Sequence, residues 1–519
     1  MEPAKFDAAA IASSGGPAEC RRAGAAEKLR QAALIAGLLL VNAAIWTYIG
    51  TRTHGVIHHD MAEAWAWGHE FQLGYWKHPP LFAWVAGLWF GVMPRENEWF
   101  FLLSALNGAV GLAGAWAVAG RLLPRSSQWA ALFLLLLTPF YGAFALKFNA
   151  NTILLSVWPW AAYFFIRSLE TRSALHGGLF GLFIGLALLG KYYSVLLLLS
   201  CVAAALLHPR VSEIFRSPAP YVAAAVCALV ILPHTIWVVE GGFQTVQYAI
   251  TKTQHSAPRV LVRGAAAALL VVAFHSLAIL ALIMAFRRIR RTLPARVLSA
   301  ARERGNWWLV ALAVGPFALT LLACIAANVR ISAEFMIPIF FLVPTAVLVL
   351  GRLYVTAPRL RTLALGAAAL TGAVGLAAEP VGKLTRTMGA ETWREPTREV
   401  ALDATKLWRW AFGKKLEIVS GEDRYAHAAT FYSPDAPHEL TNLDFRLAPW
   451  IARDQVDKSG MLILCPAEKT SCLESAAAYE KKGSFRVARS YRPKSGGVRK
   501  LVIVLIPPVG ASGPAALDD

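Results

Sequence analysis

The sequence predicts an α-helical polytopic membrane protein of about eleven transmembrane helices, followed by a small C-terminal α/β domain. Three observations carry that expectation. Of the 519 residues, 56% are hydrophobic and only 16% charged, whereas soluble domains have about a quarter charged. Mean hydropathy is +0.48. Apolar runs of about twenty residues, each able to cross a bilayer as a helix, recur as far as residue 379. Beyond it the pattern changes to short strand-like and helix-like stretches.

Residues 1–30 are Ala/Gly-rich with Arg21, Arg22, Lys28 and Arg30, and read as a disordered cytoplasmic N-terminus without a clear cleavage site. The membrane domain is expected over 31–379. Its spans read as 31–50, 99–120, 127–145, 152–167, 174–190, 193–207, 219–239, 262–286, 307–328, 335–351 and 362–379. A first outer loop, 51–98, contains a short apolar segment at 81–92 between Pro80 and Pro94. That length suits a helix lying at the membrane surface.

Loop arginines orient these spans. With the N-terminus inside, alternate loops contain Arg121 and Arg125, Arg167 and Arg172, and Arg210 and Arg216. Then come seven arginines between Arg287 and Arg304, and finally Arg352, Arg359 and Arg361. The opposite loops have far fewer cations, so the positive-inside bias puts 51–98, 241–261 and everything after 380 on the outer face. The formal charge of +19 is explained by these loops. No nucleic-acid-binding motif accompanies it, and no nucleic-acid partner is expected.

The region 380–519 reads as a water-soluble domain, with strand-like runs at 416–419, 461–464 and 501–506 and helix-compatible stretches at 396–411 and 473–481. Such alternation suggests an α/β layer. Cys465 and Cys472 both fall in this outer domain, with six residues between them in an oxidising compartment, and are expected to form a disulfide. No CxxC or Cys/His zinc spacing occurs.

No expected span has an Asp or Glu in its interior, which argues against a proton- or ion-coupled transporter. The polar residues gather instead at the outer ends of helices. The densest stretch is 58–80, HHDMAEAWAWGHEFQLGYWKHPP, with Asp60, Glu63, Tyr75, Lys77 and His78 among tryptophans suited to the membrane–water boundary. Others are Lys147, Asn149 and Asn151 in LKFNANT, Lys191 and Tyr192 in GKYYS, His234 in PHTIW, and Arg330 and Glu334 in NVRISAEF. Each has a plain alternative. Asp60 with Glu63 also fits a helix-capping box, a lone cation can be snorkelling, and His234 can be a helix–helix hydrogen bonder. Five segments delivering such residues to one face suggest a site, where cations would suit a lipid-linked phosphate.

Asp60-Met61-Ala62-Glu63-Ala64-Trp65, then Gly74-Tyr75-Trp76-Lys77-His78-Pro79-Pro80, resembles the bacterial branch of the protein mannosyltransferase and aminoarabinose (and galacturonic acid) transferase superfamily. The resemblance continues through FNANTILL, LLGKYYSV and PHTIW and covers most of the chain. These are GT-C fold, glycosyltransferase family 39-like enzymes that use polyprenyl-phosphate sugars. The resemblance implies Asp60 as the essential catalytic carboxylate of the first loop, near the sugar C1 and the incoming acceptor, with Glu63 as a supporting acid. Lys77, His78, Lys191, Tyr192 and Arg330 would lie toward the donor phosphate, and Tyr75, Asn149, Asn151, His234 and Glu334 would line the site. Three positions depart from the common pattern: Met61 follows Asp60 where a second acid is frequent, Lys77 replaces an acid, and Asn149 and Asn151 stand where many relatives have a further aspartate. No cofactor is indicated, and a divalent metal is left open.

The implied activity is inverting transfer of one sugar from a polyprenyl-phosphate donor to a lipid or glycan acceptor, such as lipid A or the lipopolysaccharide core. It would occur at the periplasmic face of a bacterial inner membrane, in contact with membrane lipids. A flippase for lipid-linked sugars is the alternative. An internal repeat would favour it, and none is visible.

Overall fold

A computed structural model of the chain describes residues 17–253, 257–327, 333–388, 393, 395–492 and 497–511. The first helix, α1 (Pro17–Thr53), starts well before the expected residue 31. Its early residues, AECRRAGAAEKLR, are mostly strong helix formers, so the helix extends through part of the stretch expected to be disordered. Then come α2 (His59–Gly68), α3 (Leu81–Phe90), α4 (Asn97–Leu122), α5 (Arg125–Leu136), α6 (Leu154–Thr171), α7 (Ala174–Gly190) and α8 (Val195–Leu206). The membrane domain continues with α9 (Val211–Phe215), α10 (Ala219–Glu240), α11 (Gln244–Thr253), α12 (Ala257–Ala285), α13 (Leu293–Arg302), α14 (Trp307–Ala326), α15 (Val343–Leu350) and α16 (Ala357–Met388).

Among the described residues, six helices are long and apolar enough to cross a membrane: Leu29–Thr53, Asn97–Leu122, Ala219–Glu240, Gly264–Ala285, Arg304–Ala326 and Ala357–Leu384. The other five expected spans are shorter, interrupted or, for α6, less apolar. The segment 127–145 is helical only to Leu136, then turns at Pro139 into a 3₁₀ turn over Ala143–Leu146. The segment 335–351 is two 3₁₀ turns before α15, because Pro338 and Pro344 cannot donate to a continuous ladder. At the C-terminal end of the membrane domain, α16 continues past residue 379 to Met388.

Small residues set the closest helix contacts. On α7 a Cβ at Gly177 would come within 2.3 Å of the Ala219 carbonyl, and one at Gly181 within 2.3 Å of the Ala223 carbonyl. This four-residue repeat lets the α7 and α10 backbones touch, which drives association where lipid supplies no hydrophobic force. Gly68 and Gly87 do the same for α2 and α3. A Cβ on Gly68 would meet Ala83 O at 2.2 Å, and one on Gly87 would meet Gly68 O at 2.3 Å. The amphiphilic α2 is thereby fixed on the short α3.

The C-terminal domain has a five-stranded sheet, β1 (Ile418–Gly421), β2 (His438–Leu440), β3 (Met461–Pro466), β4 (Phe485–Tyr491) and β5 (Arg499–Ile506). Strand order is β2-β1-β3-β5-β4, with β1 parallel to β2 and β3 and the remaining pairs antiparallel. Its helices are α17 (Thr397–Phe412), α18 (Asp423–Tyr432), α19 (Arg453–Ser459) and α20 (Thr470–Ala477). Leu462 and Leu464 pack with Trp408 and Tyr425 on one face, while Met461, Ile463 and Cys465 pack with Val456 and Ala476 on the other. Both faces are covered, which is why β3 reads as an unbroken apolar run. Cys465 and Cys472 are joined as a disulfide, their Cα atoms 5.7 Å apart.

One helix, α18, docks this domain on the loop between α1 and α4. The Trp65 indole donates to Thr430 O at 3.1 Å. Arg95 donates to the carbonyls of Thr430, Phe431 and Ser433, each at 3.0 Å, satisfying the free acceptors at the end of α18. The Tyr432 hydroxyl accepts from Ile57 N–H at 2.9 Å and donates to Asn97 at 2.7 Å.

Candidate active site

Asp60 is not the helix cap. The cap is His58, whose Nδ1 accepts from the Asp60 backbone N–H at 3.1 Å. The capping-box alternative therefore fails for both acids, because their carboxylates point to other segments. Asp60 Oδ1 lies 2.8 Å from His59 Nε2, and Oδ2 lies 2.8 Å from Asn149 Nδ2 and 3.1 Å from Lys147 Nζ. Burial by itself would raise the Asp60 pKa. The His59 hydrogen bond and the charge of Lys147 outweigh it and hold the carboxyl well below its ordinary range. Asp60 is therefore ionised at neutral pH, and a quarter of its side chain (24%) remains accessible.

The LKFNANT segment explains why asparagine suits position 149. Asn149 Oδ1 accepts from the backbone N–H groups of Asn151 and Thr152 at 2.9 and 3.0 Å, opening the turn into α6. Its amide then faces Asp60 and donates. An aspartate could accept the same two backbone bonds, but would present an oxygen to Asp60 and repel it.

A polar network continues from there. Lys147 Nζ lies 2.5 Å from Glu334 Oε1, Asn151 Nδ2 lies 3.2 Å from Glu334 Oε2, and Lys191 hydrogen-bonds Asn151 Oδ1. Burial would lower the Lys147 pKa, but Asp60 and Glu334 raise it, so the ammonium stays charged. Lys191 caps the end of α7 in an extended conformation and lies over the Phe335 ring, 4.9 Å from its centroid. Segments from α2, the Lys147 turn, α7 and the Glu334 turn thus meet on one side of the helices. Arg330 lies outside the described residues.

A second cluster lies one turn along α2. Lys77 Nζ is 2.6 Å from Glu63 Oε2 and 3.1 Å from Asp423 Oδ2. His427 donates through Nδ1 to Glu439 Oε2 at 2.6 Å, and its Nε2 is 3.4 Å from Glu63 Oε2. Burial would raise the Glu63 pKa, but Lys77 and His427 hold it far below the ordinary value. His427 is fully buried, which disfavours its charge, but Glu439 and Glu63 push it up to about 10. Burial raises Glu439 despite that partner. Asp423, His427 and Glu439 are functional candidates that sequence reasoning missed. The visible signal is the Asp423–His427 pair at i,i+4, one helix face in an otherwise small-residue segment.

The remaining expected site residues have scaffold-like surroundings. The Tyr75 hydroxyl donates to Trp67 O at 2.6 Å, and its ring stacks on Trp67 at 4.9 Å. His78 lies edge-on to Tyr248, which brings α11 to the same face, and burial with nearby Lys191 depresses its pKa to about 3. It is a neutral imidazole. The Tyr192 hydroxyl bonds His234 Nε2 at 2.7 Å and Thr245 at 3.1 Å. His234 Nδ1 bonds Leu73 O at 2.7 Å, so His234 ties the GKYYS turn to the first loop. A groove of about 900 Å³ between α1 and α16, lined by Tyr48, Glu379 and Lys383, shares no residue with either cluster.

Comparison with known proteins gives a consistent picture. The family of dolichyl-phosphate-mannose-protein mannosyltransferases matches residues 77–237, the stretch from Lys77 to just beyond His234. No curated protein sequence matches the chain. Among solved structures, ArnT from Cupriavidus metallidurans bound to undecaprenyl phosphate superposes with a TM-score of 0.61 at 14% identity, covering 93% of this chain and 99% of that one. The apo state of the same protein gives 0.59 at 14% identity, covering 92% and 98%.

Proposed function

For a chain with an ArnT-like fold and a mannosyltransferase family match over residues 77–237, we propose membership of the GT-C mannosyltransferase-like superfamily and the function of a polyprenyl-phosphate-dependent membrane glycosyltransferase. The observation that carries the reading is Asp60, an ionised and partly accessible carboxylate in a network that also contains Lys147 and, through Asn151, Lys191.

The chemistry assigned to these groups is a single displacement. The acceptor hydroxyl oxygen attacks the sugar C1, the C1–O bond to phosphate breaks, and polyprenyl phosphate departs with the bonding pair. Displacement at one centre inverts its configuration. The hydroxyl proton passes to Asp60 and then to solvent. A carboxylate of depressed pKa is a weak base, so Asp60 chiefly binds and orients the hydroxyl and takes the proton as the new bond forms. Such assistance is worth on the order of a hundred- to ten-thousand-fold in rate. The departing phosphate needs no proton, since fixed cations can hold its charge. Lys191 and Lys147 are assigned to that role, with neutral His78 as a hydrogen-bonding neighbour. Tyr192 and His234 hold the Lys191 turn.

In this reading the N-terminus is cytoplasmic, and both the site and the C-terminal domain are periplasmic, in a bacterial inner membrane. The acceptor is a lipid or glycan, with lipid A or the lipopolysaccharide core as the class to try first. The test is purified protein in vesicles supplied with labelled polyprenyl-phosphate sugars and candidate acceptors. Label should move to an acceptor. Label that crosses the bilayer without transfer would replace this reading with a flippase.

A further inference from the structure

A third cluster joins the two domains away from Asp60. His69 caps the C-terminal end of α2, Glu70 follows it, and His438 opens β2. Glu70 Oε1 lies 2.8 Å from His438 Nδ1 and 3.7 Å from His69 Nδ1. The two imidazoles stack, their centroids 4.9 Å apart at 18°. One donor atom from each residue falls within 4.8 Å of the others.

We propose that His69, Glu70 and His438 form a binding site for a zinc-class divalent transition ion that staples the first outer loop to the C-terminal domain. The donor set is two imidazoles and a carboxylate, the combination that binds zinc with a fourth position left for water. Nitrogen donors select against magnesium and calcium, which take oxygen. Three donors this close need only small side-chain shifts to reach metal–ligand distances of about 2.0–2.2 Å. The Glu70 side chain is 6% exposed while those of His69 and His438 are 28% and 41% exposed. The anionic ligand is thus fixed in place and an ion can still enter.

The contrast with the buried trio Asp423, His427 and Glu439, whose donors also converge, decides between the two clusters. There the Lys77 ammonium and the His427 imidazolium already neutralise the acids. Around Glu70, the ion-pair partners within 4 Å among the described residues are the His69 and His438 imidazoles, both of them metal-ligand types. A bound ion would tie the last turn of α2 to the sheet, and the first turn of that helix carries Asp60, with Glu63 one turn on.

The test uses the full-length protein in detergent or nanodiscs, stripped with EDTA and titrated with ZnCl₂, MgCl₂ or CoCl₂. We expect one zinc equivalent by elemental analysis, a raised melting temperature with zinc but not magnesium, and visible d–d bands of four-coordinate cobalt. His438→Asn and His69→Asn should each weaken zinc binding at least tenfold, and Glu70→Gln should do so without removing a histidine. Absence of binding at millimolar zinc overturns the proposal. So does zinc binding that survives the His69→Asn/His438→Asn double substitution, or that is lost instead with His427→Gln.

Discussion

The Lys77 ammonium lies 2.6 Å from the Glu63 carboxylate, and both side chains are largely buried, 14% and 9% exposed. Through its second contact, with Asp423, this pair joins the HPP loop, the middle of α2 and the C-terminal domain at one point.

Removing one member of a buried pair strands the other charge at a cost of about 3–5 kcal/mol. Glu63→Gln leaves Lys77 with Asp423, so the lower end of that range is expected. The apparent melting temperature should fall, and the C-terminal domain should become more sensitive to limited proteolysis. A Glu63→Gln protein as stable and resistant as wild type would dissolve the proposed coupling.

Asp60→Asn separates charge from shape. The backbone of α2 is capped by His58, so the substitution should leave expression and melting nearly unchanged while transfer falls a hundredfold or more. Asn149→Asp makes the complementary change, placing a second anion against Asp60. Transfer should fall and its acid limb should shift to higher pH. Near-normal transfer by Asp60→Asn would remove Asp60 from the chemistry.

Lys191→Met tests the phosphate role. Donor affinity should weaken at least tenfold, with folding and membrane insertion normal. Direct binding of polyprenyl phosphate, measured apart from turnover, makes the comparison. Equal affinity would mark Lys191 as a structural partner of Asn151 and Phe335.

His427 predicts a pH dependence of domain attachment. Its folded pKa, about 10, lies above the ordinary 6.5. Its stabilising contribution is therefore complete below about 6.5, shrinks as pH rises, and is gone above about 10. Glu63 has the opposite sign. Its folded pKa is depressed, so its contribution is present above its ordinary value and is lost on strong acidification. Melting temperature measured between pH 6.5 and 10 should decline in wild type and flatten in His427→Gln. Parallel curves would show that His427 is not the titrating group.

Reporter fusions test the orientation. Fusions near residue 295 should read cytoplasmic, and those near 250 and 430 periplasmic, as the loop arginines require. The contact between Tyr248 and His78 already puts 250 and the HPP loop on one face. A cytoplasmic result at 430 would break the assignment of the C-terminal domain to that same side.

What the sequence determined by itself was everything that depends on local pattern. Apolar run length marked the membrane helices, Pro80 and Pro94 bounded the short segment that forms α3, and short strand-like runs marked β1, β3 and β5. The gathering of Asp60, Lys147 and Lys191 at helix ends was likewise visible as composition at a boundary. What only the tertiary structure decided was which charge meets which. Lys77 and Asp423 are 346 residues apart, and no spacing rule links them. Helix α18, which delivers Asp423 and His427, was unreadable because DRYAHAATFY has little apolar periodicity. It is held instead by contacts from Trp65 and Arg95. The choice between cap and site at Asp60 was undecidable for the same reason. A carboxylate at the start of a helix satisfies either role locally, and only the arrival of Lys147 and Asn149 from another segment turns it toward the site.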